Sequence, residues 1–257
     1  MGQDFVTVTE LSGEKVASEQ IERMLQRYVW AGTFCEEKDV LEVACGSGQG
    51  IGLLLRKAKS VTAGDFSSEI LEIARKHYKN RVELSQFSGE AMPFFDQQFD
   101  VVILFEAIYY IPSAEKFVAE AKRVLRPGGV LLIVTANRDL YDFTPSPFSH
   151  EYYGVTGLHN LLSRHNFSTT FFGSYSVLSV SARQKILRPL KKIATALGII
   201  PKTMSGKQVF KKIFYGDLVH MPPEIQEGMY PYTPPDVIEV DKPNKEFKVL
   251  HCIAKKQ

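Results

Sequence analysis

The chain has 257 residues, 44% of them hydrophobic and 23% charged, with a formal net charge of +2. That composition suits one large domain, or a domain with an insertion, able to bury a core. It excludes a chain-wide basic surface for nucleic acid, and without an apolar run of about 18 residues no membrane-spanning helix is expected. Cys35, Cys45 and Cys252 form neither a C-x-x-C pair nor a zinc spacing, so no metal site is expected. They fit a reducing cytosol better than a disulfide framework. The N-terminus shows no basic stretch followed by an apolar core, so no signal peptide is read and a cytoplasmic location is expected.

Residues 18–34 carry Ile21, Leu25, Tyr28 and Val29 at helical spacing, with Ser18 placed to cap. The stretch 27–32, RYVWAG, packs on a sheet in the plain reading; in the sharper one, Tyr28 or Trp30 covers a ligand pocket. Next comes VLEVACGSGQG (40–50), an apolar run ending in Gly46, Gly48 and Gly50, then a helical stretch from Ile51 to Ala58. Strand, glycine turn and helix open a nucleotide-binding α/β unit. Glycines let a ligand approach the backbone, and the helix N-terminus behind them is expected to present free N–H groups. A dinucleotide fingerprint would need a third glycine where Ile51 stands, which disfavours an NAD-dependent oxidoreductase.

A second strand, 60–65, ends at Asp65, 17 residues after Gly48. An acid there can accept both ribose hydroxyls, and Phe66 can lie against adenine. Ser67 caps a helix over 68–79, and a third strand is expected at 81–87. The segment 88–111, SGEAMPFFDQQFDVVILFEAIYYI, holds Met92-Pro93-Phe94, Phe99-Asp100-Val101-Val102 and an apolar fourth strand, 101–105. That strand ends at Phe105-Glu106, toward the ligand side of an open sheet. Ser113 caps a helix over 114–125. Arg126-Pro127-Gly128-Gly129 then makes a tight turn into a fifth strand, 130–136.

Glu42-x-Ala44-Cys45-Gly46-x-Gly48-x-Gly50, the acid at 65, M-P-F…F-D-V-V and R-P-G-G occur in order. This pattern resembles the class I S-adenosylmethionine (SAM) dependent methyltransferases, over about 20–136 and the final strand. Ala44 stands where the first glycine usually does. The resemblance implies a doubly wound, seven-stranded, mostly parallel sheet with the last strand antiparallel and helices on both faces. It implies SAM as cofactor and S-adenosylhomocysteine as product. The cofactor residues it points to are Tyr28 at the methionine end, the motif acid Glu42, and Ala44, Gly46 and Gly48 in the turn. Asp65 serves the ribose, Phe66, Ser88, Gly89 and Glu90 the adenine, and Phe105 and Glu106 the pocket floor. Ser88 stands where an adenine-binding Asp is usual.

Tyr109 and Tyr110 can position an acceptor or move a proton. Residues 137–150 form a loop over the same face, where His150 is a candidate base. A helix at 155–165 and a strand at 167–175 follow, and 246–256 is the last strand. The chain therefore divides into a cofactor-binding core (1–175 and 246–257) and an insertion, 176–245. The insertion has no acid between 176 and 216, yet carries Arg183, Lys185, Arg188, Lys191 and Lys192 among apolar residues. Two basic amphipathic helices are expected over 183–212, then an extended proline-rich run, 221–243. The basic segment 183–214 can serve as a lid, a peripheral membrane contact or a homodimer contact. No Asn/Asp-Pro-Pro-Tyr follows the fourth strand, which favours oxygen of a small molecule or glycan as the methyl acceptor. The alternatives are a nucleic-acid methyltransferase, disfavoured by charge, and a SAM-binding protein without turnover.

Overall fold

The structure, a computed structural model, describes residues 9–178 and 218–257. In chain order the described elements are β1 (Lys15–Ala17), α1 (Ser18–Cys35), β2 (Asp39–Val43), α2 (Ile51–Leu55), β3 (Ser60–Asp65) and α3 (Ser68–Tyr78). Then come β4 (Glu83–Gln86), β5 (Phe99–Phe105), a 3₁₀ turn (Ile108–Tyr110), α4 (Ala114–Val124) and β6 (Leu125–Ala136). The remainder is α5 (Val155–Arg164), β7 (Phe167–Ser176), β8 (Leu218–His220), β9 (Asp236–Ile238) and β10 (Phe247–Lys256).

The main sheet has the order β4-β3-β2-β5-β6-β10-β7-β9. From β4 to β6 the pairs are parallel; β10 runs antiparallel between β6 and β7. The sheet thus has eight strands, one more than expected. The extra strand is β9, three residues hydrogen-bonded to the β7 edge through Phe171–Ile238 and its neighbours. The expected basic helices over 183–212 lie outside the described residues.

Both faces of the sheet are covered, which is why β5 reads as an unbroken apolar run. Val102 and Leu104 point to the side of α4 and α5, where Phe117, Leu158 and Leu162 are buried. Val101, Ile103 and Phe105 point to the side of α1 to α3, with Leu25, Leu54 and Leu71. Burying each such side chain stabilises by about 1.5–3 kcal/mol.

The helix ends follow local chemistry with one exception. Ser67 accepts the Ile70 N–H and Ser113 the Lys116 N–H. Ser18 does not cap; it is the first residue of α1 and its hydroxyl bonds Tyr230 at 2.8 Å. The cap is made instead by the Gln20 side chain, which accepts the Ala17 N–H. Arg126–Gly129 is likewise no separate turn. It is a bulge inside β6, between the pairings Phe99–Leu125 and Val101–Val130, with Gly128 at φ +74°. The M-P-F segment owes its place to packing: Phe94 meets Phe87 and Phe99 edge-on, and Arg123 donates to the carbonyls of Met92 and Phe94.

The described part of the long connection lies down on the core. β1 pairs with β8, and the Gly13 N–H reaches the Met221 carbonyl at 2.8 Å. Met221 and Ile225 are buried in the same cluster as Leu53 and Leu54 of α2. Glu224 accepts from His77 at 2.9 Å and from Arg81 at 2.9 Å, and its carboxylate lies over Gly52, where a Cβ would force it to move. Among the described residues no helix is long and apolar enough to cross a membrane.

Candidate functional site

The carboxyl ends of β2, β3 and β5 converge on one mouth, the ligand side of an open α/β sheet. After β2 the chain turns through Ala44 (φ +56°), Gly46 (φ +59°) and Gly48 (φ +83°). Gly48 is needed for packing as well as for its φ: a Cβ there would lie 3.1 Å from both Ala74 and Tyr78. Asp65, at the end of β3, braces the turn by accepting the Gly46 N–H on one oxygen and the Ser67 N–H on the other, both at 2.9 Å. Burial raises its carboxyl above the usual range, against those backbone donors. α2 is only five residues long, and its first N–H groups are not free. They go to the Gly48 carbonyl, the Tyr78 hydroxyl and the Gly50 carbonyl.

Glu42 is 1% exposed. One of its oxygens accepts the Tyr28 hydroxyl, and the other, Oε2, is buried with no partner among the described residues. Burial pushes its carboxyl up to about 7, although Tyr28 and the Arg27 charge pull the other way. Tyr28 lies on Gly50, where a Cβ would come within 2.0 Å of its ring, and meets Phe105 edge-on at 5.2 Å. The geometry therefore brings together Tyr28, Glu42, Ala44, Gly46, Asp65 and Phe105.

At the β4 end, Ser88, Gly89 and Glu90 form a tight turn: the Ser88 hydroxyl accepts the Glu90 N–H and its carbonyl the Ala91 N–H. A Cβ at Gly89 would lie 3.3 Å from both Val43 and Phe117. Phe66, after β3, is 62% exposed, and its carbonyl accepts from Gln86.

Beyond β5, Glu106 takes φ +50° and its N–H donates to the Val134 carbonyl at 2.7 Å. Its carboxylate accepts the Tyr109 hydroxyl at 3.0 Å, and burial raises its carboxyl. Tyr109 stacks on Tyr152 at 4.1 Å, and Tyr110 bonds the Ser146 hydroxyl at 2.6 Å. Burial and the Glu106 charge hold the Tyr109 hydroxyl well above its ordinary value, so it stays protonated and donates. His150 is exposed. Its backbone N–H donates to the Tyr109 carbonyl, and its side chain lines an open recess of about 480 Å³ with Arg138, Ser146 and Tyr152. Glu42, Asp65 and Glu106 do not line that recess. Among the described residues no cluster of His, Cys, Asp or Glu could hold a metal ion.

Sequence reasoning passed over Arg23 and Arg27, one turn apart on α1. Arg23 lies over the Tyr175 ring at 4.9 Å and Arg27 over Tyr28 at 5.9 Å. Both charges favour ionised Glu106, and Arg27 also favours ionised Glu42. Their i,i+4 spacing on the helix before the glycine turn was the only available signal.

This mixed, mostly parallel sheet with its glycine turn and strand-end acids is of the kind typical of class I methyltransferases. Residues 41–133 match the family model described as a methyltransferase domain. A probable S-adenosylmethionine-dependent methyltransferase of Mycolicibacterium smegmatis is 38% identical over 104 residues, 40% of this chain and 40% of that protein. A fatty-acid O-methyltransferase of the same species is 37% identical over 110 residues, 42% of this chain and 40% of that protein. The match thus spans about two-fifths of the length of these curated relatives. Among solved structures, the YcgJ protein of Bacillus subtilis has a TM-score of 0.59 at 14% identity, covering 92% of this chain and 99% of that one. A SAM-dependent methyltransferase of Aquifex aeolicus has a TM-score of 0.50 at 20% identity, covering 62% and 90%. At these identities both show the fold alone.

Proposed function

We propose that this chain transfers a methyl group from SAM to an oxygen of a small-molecule or sugar acceptor. The observation that carries the reading is the buried Glu42 Oε2 without a partner, set beside the glycine turn that Asp65 braces. An orphaned buried carboxylate oxygen is costly, and a ligand ammonium would satisfy it. When bound, SAM supplies a methyl already activated by its positive sulfur. The protein's part is alignment and exclusion of water.

In this reading Glu42 takes the methionyl ammonium, with Tyr28 covering that end. The Asp65 oxygens keep lone pairs for the ribose hydroxyls. Phe66 closes over adenine, whose edge meets Ser88, Gly89 and Glu90. Ala44, Gly46 and Gly48 shape the turn, and Phe105 and Glu106 form the floor toward the acceptor. Tyr109, protonated and tied to Glu106, orients that carboxyl. Glu106, with its raised pKa, is better placed than exposed His150 to take a proton from a hydroxyl acceptor, and Tyr110 stands at the acceptor entrance. The division into a core (1–175 and 246–257) and an insertion serving as lid or interaction region (176–245) belongs to the same proposal.

The test is calorimetric titration of SAM and S-adenosylhomocysteine into wild type and Asp65→Ala. Wild type is expected to bind, and the variant to bind about 10–100-fold more weakly, the worth of a charge-assisted bidentate contact. A folded wild-type protein that binds neither nucleoside overturns the reading.

A further inference from the structure

Three buried donors without partners converge between α1 and β7. They are Arg23 Nε, Arg27 Nε and the Tyr175 hydroxyl, each unpartnered among the described residues. The arginines are one helical turn apart, about 6 Å along the axis, and Arg23 covers the Tyr175 ring. Tyr175 is held at φ +62°, a conformation a bulky residue adopts only where its surroundings impose it. Among the described residues Arg23 has one ion pair, a one-third-exposed one to Glu19 through Nη2 that leaves Nε untouched, and Arg27 has none. Glu22 also faces this group through Tyr175, and Glu106 from the floor. Arg nitrogens only donate, so what would satisfy them is rich in acceptors.

The cluster reaches from beside the cofactor turn, where Arg27 stands over Tyr28 and its charge acts on Glu42, to a strand well away from it. Tyr175 is the last residue but one of β7, which lies four strands from β2 in the order β2-β5-β6-β10-β7. At about 4.8 Å per strand that is roughly 19 Å from the Glu42 strand. β6, at the centre of that span, borders Glu106, the floor of the acceptor side.

We infer that the methyl acceptor carries an oxyanion, a carboxylate or a phosphate, and that Arg23, Arg27 and Tyr175 hold it. The inference rests on the methyl-transfer reading and narrows its substrate class. A planar guanidinium fork suits either group, and the Tyr175 hydroxyl, which burial pushes up to about 12, remains a donor.

The experiment saturates the protein with S-adenosylhomocysteine and titrates octanoate, octyl phosphate and octan-1-ol by calorimetry. At least one of the two anions is expected to bind ten or more times tighter than the alcohol, and the stronger of them names the oxyanion. Arg23→Gln should abolish that preference, Arg23→Lys retain part of it, and Tyr175→Phe, which removes one hydroxyl only, reduce it about threefold to tenfold. Thermal melts identify variants that fail to fold, and Tyr175→Phe then decides. Equal binding of anions and alcohol, no anion binding, or an undiminished preference in Arg23→Gln overturns the inference. So does a result in which the arginine variants weaken S-adenosylhomocysteine itself, since that assigns them to the cofactor's own carboxylate. If wild type does not bind S-adenosylhomocysteine, the methyl-transfer reading fails, and the same ratios on the free protein decide the oxyanion site.

Discussion

Ala44 occupies a left-handed conformation, φ +56°, at the first position of the turn. An L-residue with a Cβ is disfavoured there by roughly 1–2 kcal/mol, while glycine loses more entropy on folding. Ala44→Gly is therefore expected to stabilise by about 0.5–1 kcal/mol and raise Tm by about 1–4 °C in a thermal melt. Glu42 sets a pH dependence. Burial pushes its carboxyl up to about 7, so between the ordinary glutamate value, about 4.3, and 7 the folded chain holds a proton that the unfolded chain has lost. Its contribution to stability therefore falls as pH rises through that window. Binding of an ammonium needs the carboxylate, so S-adenosylhomocysteine should bind more tightly as pH rises toward 7, by up to about tenfold per unit, and level off above. Titrations from pH 5.5 to 8 check this, and Glu42→Gln should flatten the profile.

At the scale of elements, one carboxylate ties the 218–230 segment to the end of α3. Glu224, mostly buried, reaches His77 and Arg81 on or just after α3, and hydrogen bonding from Arg81 first, then His77, holds its carboxyl below the usual range. Because Arg81 is half exposed and screened, Glu224→Ala should cost about 1–2 kcal/mol at neutral pH, a Tm fall of roughly 2–8 °C. A lowered folded pKa means the contribution is present above the unfolded value and disappears as pH falls through the folded one. The wild-type and variant melts should accordingly converge in acid. Nothing in the local sequence foretold this tie. Glu224 lies more than 140 residues from His77 and Arg81, and pattern reading sees only neighbours. The same limit hid β9 and the β1–β8 pair, each three residues long, and the convergence of Arg23 with Tyr175. What was legible was locally encoded: apolar runs for β2, β3 and β5, hydroxyl caps for α3 and α4, and the glycine turn with acids at strand ends.

For the molecule as a whole, the last described strand is the most connected. β10 pairs over seven positions with β6 and over nine with β7, filling the gap between two strands that otherwise present open edges. A chain ending after Lys245 should lose the β7–β9 wing from the sheet. It is expected to show no cooperative thermal transition by circular dichroism and to sediment as aggregates; a monomer with a sharp melt would contradict this. The antiparallel insertion was readable from the alternation in 246–256 only together with the family resemblance, since a strand's own pattern does not name its neighbours.

Trp30, the chain's single tryptophan, lies buried on α1, edge-on to His251 at 4.9 Å and to Phe172 at 6.4 Å. The same helix carries Arg23, Arg27 and Tyr28 to the mouth. Intrinsic fluorescence therefore reports no average over the chain: one indole reads the seating of one helix on the β10–β7 half of the sheet. A shift of its emission toward the red marks the moment that helix lifts, without any label having been introduced.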